Sequence, residues 1–354
     1  MLEKYAKNTK ISFLDLRRSG ISILDRLVLE EALLRHDPLQ RCWAIVGIHD
    51  PTYNRLVSLS SAPSSGSSYT NTFDANKNCS IVLGLGGKPK ELLNLDKIRQ
   101  DGILCIKRFS GGGTVVVDHS SLFTTFIGRT NKNPEASSSI DVDPYPRELM
   151  QWTADVIFDG VFASMNSELI RNNGKMKERK SLVVDTKSCG FENSGETVLF
   201  PSNGRSTDIH SSSHLPTFSL RENDYVFGHQ KMGGSAQSII KGGWLHHTSF
   251  LWDYESHHME YLTIPSKRPE YRGDRNHNEF LVKLKSHYDS LSKDGKFLFF
   301  DHVRDTANKS FVVEDVSLEE ALQLVDDELG GMQNWFEGKC RTRVLDEETL
   351  FSKH

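Results

Sequence analysis

The residues best placed to do chemistry surround three consecutive glycines, in the segment Lys107-Arg108-Phe109-Ser110-Gly111-Gly112-Gly113-Thr114-Val115. Glycines let the backbone turn with its N–H groups exposed and let a ligand approach closely. Consecutive free N–H groups form a nest that binds anions, and two preceding cations can neutralise a phosphate or carboxylate. The alternative is a glycine-rich hairpin turn with a solvated basic rim, but three glycines between apolar strands exceed what such a turn needs. The segment therefore favours an anion site.

A second candidate is Lys231-Met232-Gly233-Gly234-Ser235-Ala236-Gln237. A lysine beside small residues can lie against a ligand at little steric cost and supplies a point charge for a carboxylate or phosphoryl oxygen. Taken alone this segment is weak, because lysine before a Gly-Gly turn is ordinary.

A third segment, Arg221-Glu222-Asn223-Asp224-Tyr225, places Asn and Asp just before an expected strand. They could bind Mg²⁺ or a nucleotide edge, or form an Asx-turn, which is the commoner use. In Trp244-Leu245-His246-His247-Thr248-Ser249 the adjacent histidines of a strand point to opposite faces, so they are not expected to chelate one metal. Gly84-Leu85-Gly86-Gly87-Lys88-Pro89 matches neither a dinucleotide fingerprint nor a Walker A loop.

The elements that must position these segments follow from apolar runs, caps and breakers. Helices are expected at Ser22–His36 (with Ser22 and Asp25 as cap), Pro89–Asp101 (stopped by Gly102), Pro146–Phe162, His277–Leu291 and Leu318–Leu329 (capped by Gly330). Strands are expected at Trp43–Ile48, Cys79–Gly84, Ile103–Ile106, Val115–Val117, Leu122–Ile127, Tyr225–Phe227, Trp244–Trp252, Phe297–Phe300 and Phe311–Val313. Hairpins outnumber clean βαβ units, which predicts an α+β fold of mixed, largely antiparallel sheets flanked by helices rather than a Rossmann sheet.

The composition excludes several classes of protein. The 354 residues carry a net charge of −4, which argues against a basic protein that coats nucleic acid. No run approaches the roughly 18 apolar residues of a membrane helix. Five dispersed cysteines indicate neither a disulfide framework nor a zinc site, and free thiols suit a reducing compartment. The first residues lack a secretory core and contain acids that transit peptides avoid, so cytoplasm is expected, with mitochondrion and plastid left open.

Taken in order, these segments resemble lipoate–protein ligases of the biotin/lipoate ligase family. The resemblance rests on Lys107–Asp118, on Asn223-Asp224, on Lys231–Gln237 and on His246-His247, and it spans about residues 20 to 285. Gly84 begins the family's upstream glycine loop. Pro269-Glu270-Tyr271-Arg272 and Arg275-x-His277 resemble a tail common in the family.

The resemblance implies an enzyme that activates lipoate or octanoate with ATP and Mg²⁺ to an acyl-adenylate. It would pass the acyl group to a lysine of a lipoyl carrier domain, of 2-oxoacid dehydrogenase or glycine-cleavage proteins. Lys231 would be the catalytic cation, and Asp224 a metal ligand. The acyl and nucleotide site would comprise Gly84, Lys107, Arg108, Ser110, Gly111, Gly112, Gly113, Thr114, Asn223, Asp224, Gly234, Ser235, Ala236 and His246. No nucleic-acid or membrane partner is expected.

The implied organisation is an N-terminal segment at 1–20, a catalytic domain at 21–290 with Ser-rich insertions near 58–75 and 188–218, and a small C-terminal α/β extension at 291–354. Three other hypotheses of function stay open. A lipoyl- or octanoyl-transferase on the same fold needs no ATP, and a biotin ligase would share the architecture. A non-catalytic binder of acyl groups or carrier domains is motivated by Leu85 and Val117, which stand where the family has Arg and His.

Overall fold

The computed structural model describes residues 9–50, 56–57, 79–130, 135–185, 215–264, 268–291 and 295–351, with the backbone alone for 174–185. The Ser-rich insertion expected near 58–75 lies outside the described residues, as does that near 188–218 up to residue 214.

The described chain forms two sheets. The twelve strands are β1 (Lys10–Asp15), β2 (Trp43–Ile48), β3 (Cys79–Leu83), β4 (Leu104–Lys107), β5 (Val115–Asp118), β6 (Ser121–Arg129), β7 (Phe218–Arg221), β8 (Asp224–Phe227), β9 (Gln230–Ile240), β10 (Gly243–Leu251), β11 (Val312–Val316) and β12 (Arg343–Val344). The larger sheet has the order β11-β1-β2-β6-β10-β9-β8-β7, and the smaller has the order β12-β4-β3-β5. Most neighbours are antiparallel, β1 pairs in parallel with β2 and β11, and β3 pairs in parallel with β4. The α+β expectation is confirmed.

Helices cover these sheets and connect their strands. They are α1 (Ile23–His36), α2 (Pro89–Leu92), α3 (Leu95–Asp101), α4 (Pro146–Thr153), α5 (Asp159–Asp185), α6 (His277–Phe280), α7 (Lys285–Tyr288), α8 (Gly295–Ser310), α9 (Leu318–Leu329), α10 (Met332–Gly338) and α11 (Glu347–Phe351). A π-helical stretch at Ala154–Phe158 joins α4 to α5. None of the described helices has the length and apolar character to cross a bilayer.

The helix α1 is central to the site because it is buried on nearly all sides. Ser22 and Asp25 form the expected capping box, which satisfies two N–H groups at the helix start. Charged side chains stand among its buried residues, with Glu30 1% and Glu31 0% exposed. Such groups are stable inside a protein only when they are paired and hydrogen-bonded. Both glutamates are, and they face different parts of the fold.

Three expected elements differ from the structure. Phe297–Phe300 is not a strand but part of α8, whose buried Phe299, Phe300, Val303 and Ala307 follow helical spacing. The helix expected at His277–Leu291 breaks into α6, α7 and a 3₁₀ turn, because the amides of Val282 and Leu284 donate to carbonyls of Lys231 and Leu251 instead of continuing a helix. The helix expected at Pro89–Asp101 is interrupted before Asn94, which caps α3. Gly102 ends it in the left-handed region as expected (φ 61).

The chain on either side of residues 21–290 shares these sheets. β1 lies in the larger sheet between β2 and β11, and β12 pairs with β4 in the smaller one. One oxygen of buried Glu31 accepts from the amides of Arg341 and Thr342, each at 3.1 Å. The segment before β12 is thereby fixed to α1.

Candidate functional site

A cleft of about 1010 Å³ lies between the two sheets and α1. Its walls come from segments far apart in sequence: the glycine loop after β4, the start of β9, the β7–β8 turn, α1, and residues 268–281. The larger sheet thus supplies one wall and the smaller sheet the other.

The glycine loop, residues 110–114, is docked on β9. The Gly111 amide donates to the Gln237 carbonyl at 2.8 Å. Gly112 has φ +103, and a Cβ there would lie 2.9 Å from the Ala236 Cβ and 3.0 Å from the Ser235 carbonyl oxygen. Only glycine combines that backbone conformation with so close an approach. The two segments singled out from sequence are therefore in direct contact.

The buried side chain of Arg108 forms hydrogen bonds with the glycine loop. The side chain is 4% exposed. Its Nη2 donates to the carbonyls of Gly111 (3.0 Å) and Gly113 (2.7 Å), and its Nε donates to Ser110 Oγ (3.0 Å). Burial lowers the pKa of Arg108 to about 10, so the guanidinium is still charged at neutral pH. Arg108 lines the cleft, but most of its donors bond to backbone oxygens.

Peptide geometry turns this arrangement into a binding surface. In a trans peptide the C=O and the following N–H point in opposite directions. With the carbonyls of Gly111 and Gly113 turned toward Arg108, the amides of Gly112 and Thr114 are turned away from it. Neither amide has a hydrogen-bond partner within the described residues, and both residues line the cleft. The buried Thr114 hydroxyl also lacks a partner there.

Lys231 lies across the start of β9. Opposite Tyr225 and Val226 the pairing skips Met232, which is a β-bulge. The extra residue changes the alternation of the strand, so Lys231 faces the same side as Gly234. The Lys231 Nζ lies 3.1 Å from where a Gly234 Cβ would be. The small residue at 234 therefore leaves the space that the lysine occupies.

Asp224 pairs with the ammonium group of that lysine. Its Oδ1 lies 2.6 Å from Lys231 Nζ, and its Oδ2 accepts from the Tyr271 hydroxyl at 2.8 Å. Glu222, at the β7–β8 turn with φ 51, accepts from the amides of Glu270 and Tyr271 at 3.2 Å each. The segment around Tyr271 is thereby tied to the strand that carries Asp224.

Further cations line the cleft beside this pair. Arg272 is 5% exposed, and its Nη2 has no partner within the described residues. Burial, with Arg272 and Lys231 nearby, lowers the pKa of His277 to about 4, so its imidazole is neutral at neutral pH. Arg268 also lines the cleft. This region therefore presents net positive charge to an anionic ligand.

The two adjacent histidines have opposite surroundings, as the strand alternation predicts. His246 is 0% exposed, does not line the cleft, and contacts Tyr225, Thr153 and Gln237. Burial lowers its pKa to about 3. It is His247 that lines the cleft. Of the two histidines, His246 thus lies behind the cleft surface and His247 lies on it.

The other residues expected from sequence divide into two groups. Those that line the cleft are Lys231, Arg108, Gly112, Gly113, Thr114, Asn223, Asp224, Gly234, Ser235 and Ala236. Those that lie behind its surface are Gly84, Lys107, Ser110 and Gly111. Lys107 donates to the Gly87 carbonyl at 3.2 Å, and a Cβ at Gly84 would lie 2.1 Å from the Gly112 carbonyl oxygen. The second group supports the glycine loop.

Sequence reasoning missed Arg26 and Glu30, which line the cleft from α1. They form an ion pair of 2.7 Å at i,i+4 spacing. That spacing usually marks a solvated helix face. The available signal was their position inside an otherwise apolar helix.

The side chains at the cleft indicate how a metal ion could be bound there. Within the described residues no group of three or more His, Cys, Asp or Glu side chains could hold an ion. Mg²⁺ is commonly bound by one or two carboxylates together with substrate phosphates. Asp224 supplies one carboxylate at the cleft, which fits an ion that arrives with a nucleotide.

Comparison with known proteins decides the family. The model of the lipoyl protein ligase A/B catalytic domain matches residues 64–297. The chain belongs to this family. Among curated proteins, it is 27% identical over 224 residues to inactive lipoate–protein ligase 2 of Plasmodium falciparum. That match covers 59% of this chain and 48% of the relative, so the chain spans about half the relative's length.

Solved structures agree on the fold. The crystal structure of P. falciparum LipL1 in complex with lipoate has a TM-score of 0.50 and 15% identity, and the match covers 97% of this chain and 74% of that one. Lipoate-protein ligase A bound with ATP has a TM-score of 0.47 and 15% identity, with 90% and 93% covered. The family match and the LipL1 structure together confirm the lipoate ligase architecture expected from sequence.

Proposed function

We propose that this member of the lipoyl protein ligase family activates lipoate or octanoate with ATP and transfers the acyl group to a lysine of a carrier domain. The observation that carries the proposal is that Lys231 and the glycine loop both lie against the same part of β9. The Lys231 ammonium lies over Gly234, and Gly112 contacts Ser235 and Ala236. A fixed cation and free amides thus meet on three consecutive residues.

That arrangement suits the first step. When the acyl carboxylate attacks the α-phosphate of ATP, the α–β phosphoanhydride bond breaks and pyrophosphate leaves. The attack brings two anions together, and fixed positive groups must offset their repulsion. Lys231 would contact both the acyl carboxylate and the phosphate, while the Gly112 and Thr114 amides would donate to the oxygens. A Mg²⁺ ion at Asp224 would supply further positive charge to the polyphosphate.

The second step needs no covalent nucleophile of the enzyme. The incoming lysine of the carrier attacks the acyl carbonyl, and AMP leaves. Lipoyl domains of 2-oxoacid dehydrogenase or glycine-cleavage proteins are the proposed carriers. The cleft opens to solvent between the two sheets, where a carrier lysine can enter.

A second candidate is a binder of acyl groups that lacks activation. It is favoured by the relative whose name calls it inactive, and by Lys231 being paired with Asp224. Such a protein would bind an acyl-adenylate without forming one.

Acid-dependent exchange of labelled pyrophosphate into ATP tests the proposal, with lipoate, octanoate and biotin supplied separately. We expect exchange with lipoate or octanoate that falls at least a hundredfold in Lys231→Ala. Lys283→Ala is the matched control, because Lys283 pairs with Asp253 at 2.7 Å away from the cleft. Exchange should persist in the control. Absence of exchange, with tight binding of a non-hydrolysable octanoyl-sulfamoyl adenosine, would select the binder instead.

A further inference from the structure

A chain of buried polar groups runs from α1 to the glycine loop. Ser110 Oγ lies 2.6 Å from His247 Nε2, and His247 Nδ1 lies 3.0 Å from Glu30 Oε2. The exposed fractions are 0% for Ser110, 9% for His247 and 1% for Glu30. The order serine, histidine, carboxylate is that of a hydrolase triad. Its serine, however, is wholly buried.

The hydrogen bonds fix the direction of this chain. Ser110 Oγ accepts from Arg108 Nε at 3.0 Å, so its own proton is available for His247. A carboxylate can only accept, so the Nδ1 facing Glu30 carries a proton. Burial lowers the pKa of His247, which keeps the imidazole neutral at neutral pH and leaves Nε2 to accept from Ser110. Every donor along the chain then points at an acceptor. The Ser110 hydroxyl is wholly buried and does not line the cleft, so it does not face a substrate bound there.

Glu30, at one end of this hydrogen-bond chain, is also held by several bonds. Glu30 Oε1 accepts from Arg26 Nε and from Thr125 Oγ1, each at 2.7 Å. The carboxylate therefore cannot rotate without breaking bonds in a buried environment, which is costly. Glu30 is a fixed point on α1, whose residues 23–34 are all buried.

At the near end, the chain sets the orientation of Arg108. That guanidinium turns the carbonyls of Gly111 and Gly113 inward, and this leaves the Gly112 and Thr114 amides directed away from it. The Ser110 carbonyl also accepts from the Leu85 amide at 2.9 Å, which joins the upstream loop to the same residue.

We propose that Glu30, His247 and Ser110 are positioning residues that hold the amides of the glycine loop in the orientation that binds the acyl-phosphate group. The proposal rests on the proposed function for the identity of that ligand. It assigns a role to α1, which lies outside the residues 64–297 that the family model matches.

The test measures binding, so it does not depend on turnover. The ligand is octanoyl-sulfamoyl adenosine, and adenosine is the reference, because only the former reaches the loop amides. We expect Ser110→Ala to weaken analogue binding about tenfold and Thr125→Val about threefold, from the loss of one hydrogen bond or of a more distant one. Adenosine binding should be unchanged, which a general loss of folding would not produce.

Thr124→Val is the matched control. Thr124 and Thr125 are neighbours in β6 and are both 0% exposed, but the Thr124 hydroxyl has no partner within the described residues. The control should bind like the wild type. If Ser110→Ala does not fold, Thr125→Val against Thr124→Val decides the question. If Ser110→Ala and Thr125→Val both bind the analogue with wild-type affinity, the proposal is overturned.

Hydrogen exchange separates this proposal from the proposed function. If the wild type does not bind the analogue, the proposed function fails. The positioning role is then judged by amide exchange in the peptide covering residues 108–118. Faster exchange there in Ser110→Ala and Thr125→Val, but not in Thr124→Val, would support it. Equal exchange in all four proteins would refute it.

Discussion

The ammonium of Lys231 and the carboxylate of Asp224 lie 2.6 Å apart at the wall of the cleft. The two groups that the proposed chemistry assigns to different partners thus neutralise each other here. Asp224 is further held by the Tyr271 hydroxyl. Binding of a nucleotide therefore competes with an existing ion pair.

Replacing Asp224 with asparagine tests the proposed role of Asp224 as a Mg²⁺ ligand separately from that of Lys231 as a ligand-binding cation. We expect Asp224→Asn to lower pyrophosphate exchange at least tenfold at low Mg²⁺, because a neutral amide is a poor ligand for that ion. Binding of octanoyl-sulfamoyl adenosine, which needs no metal, should be kept because Lys231 remains. Asp253→Asn, which disrupts the comparable pair with Lys283, should leave exchange unchanged. Equal exchange in Asp224→Asn and the wild type would remove Asp224 from the metal site.

Two glycines of the upstream loop provide a steric test. A Cβ at Gly84 would lie 2.1 Å from the Gly112 carbonyl oxygen, whereas nothing lies within 4 Å of one at Gly86. Gly84→Ala should lower the free energy of unfolding by about 1–3 kcal/mol and weaken analogue binding. Gly86→Ala should do neither. Urea unfolding and calorimetric titration measure both quantities, and equal effects of the two substitutions would contradict the loop contact.

His258 predicts a dependence of stability on alkaline pH. Its Nδ1 lies 3.8 Å from Asp118 Oδ2, and the Asp118 carboxylate raises the pKa of His258 to about 9 from 6.5. A raised folded-state pKa contributes stability that is fully present below pH 6.5 and is lost as the pH rises through about 9. The urea-derived free energy of unfolding should therefore decline across that interval. His258→Gln should flatten the decline, and the exposed neighbour His257→Gln should preserve it.

Glu31 connects α1 to the segment before β12. Glu31→Ala should lower the free energy of unfolding by about 3 kcal/mol, since it leaves buried donors without an acceptor. Trypsin should then cleave at Arg341 or Arg343 faster than in the wild type. The exposed Glu319→Ala serves as control and should change neither measurement. A protease-resistant Glu31→Ala protein would show that Glu31 does not hold this segment.

Local signals in the sequence predicted much of the fold. Ser22 and Asp25 marked the start of α1, Gly330 the end of α9, and the spacing of the glycine run located the loop. These features depend on interactions within four residues, which sequence alone specifies. The run Phe297–Phe300 was misread as a strand because a short apolar run has no period of its own. Packing of α8 against α5 decided its conformation.

The site was harder to predict where its bonds join distant residues. Glu30 and His247 are 217 positions apart and share one hydrogen bond. The i,i+4 partner of Glu30 is the one a surface glutamate would have, and the apolar neighbours in α1 indicate burial but not the histidine that it bonds. Likewise, strand alternation separated His246 from His247 but could not tell which of them faced the cleft. Only the neighbouring strands determine that.

The pairing of β1 with β11 has a consequence for biosynthesis. Residue 10 aligns with residue 312, so β1 has no partner on that side until synthesis has proceeded from residue 10 to residue 312. Contacts between such remote residues slow folding, and an unpaired strand edge invites aggregation. A nascent chain of this protein should therefore depend on chaperones until β11 emerges. Truncation before residue 312 should yield insoluble protein rather than a smaller folded one.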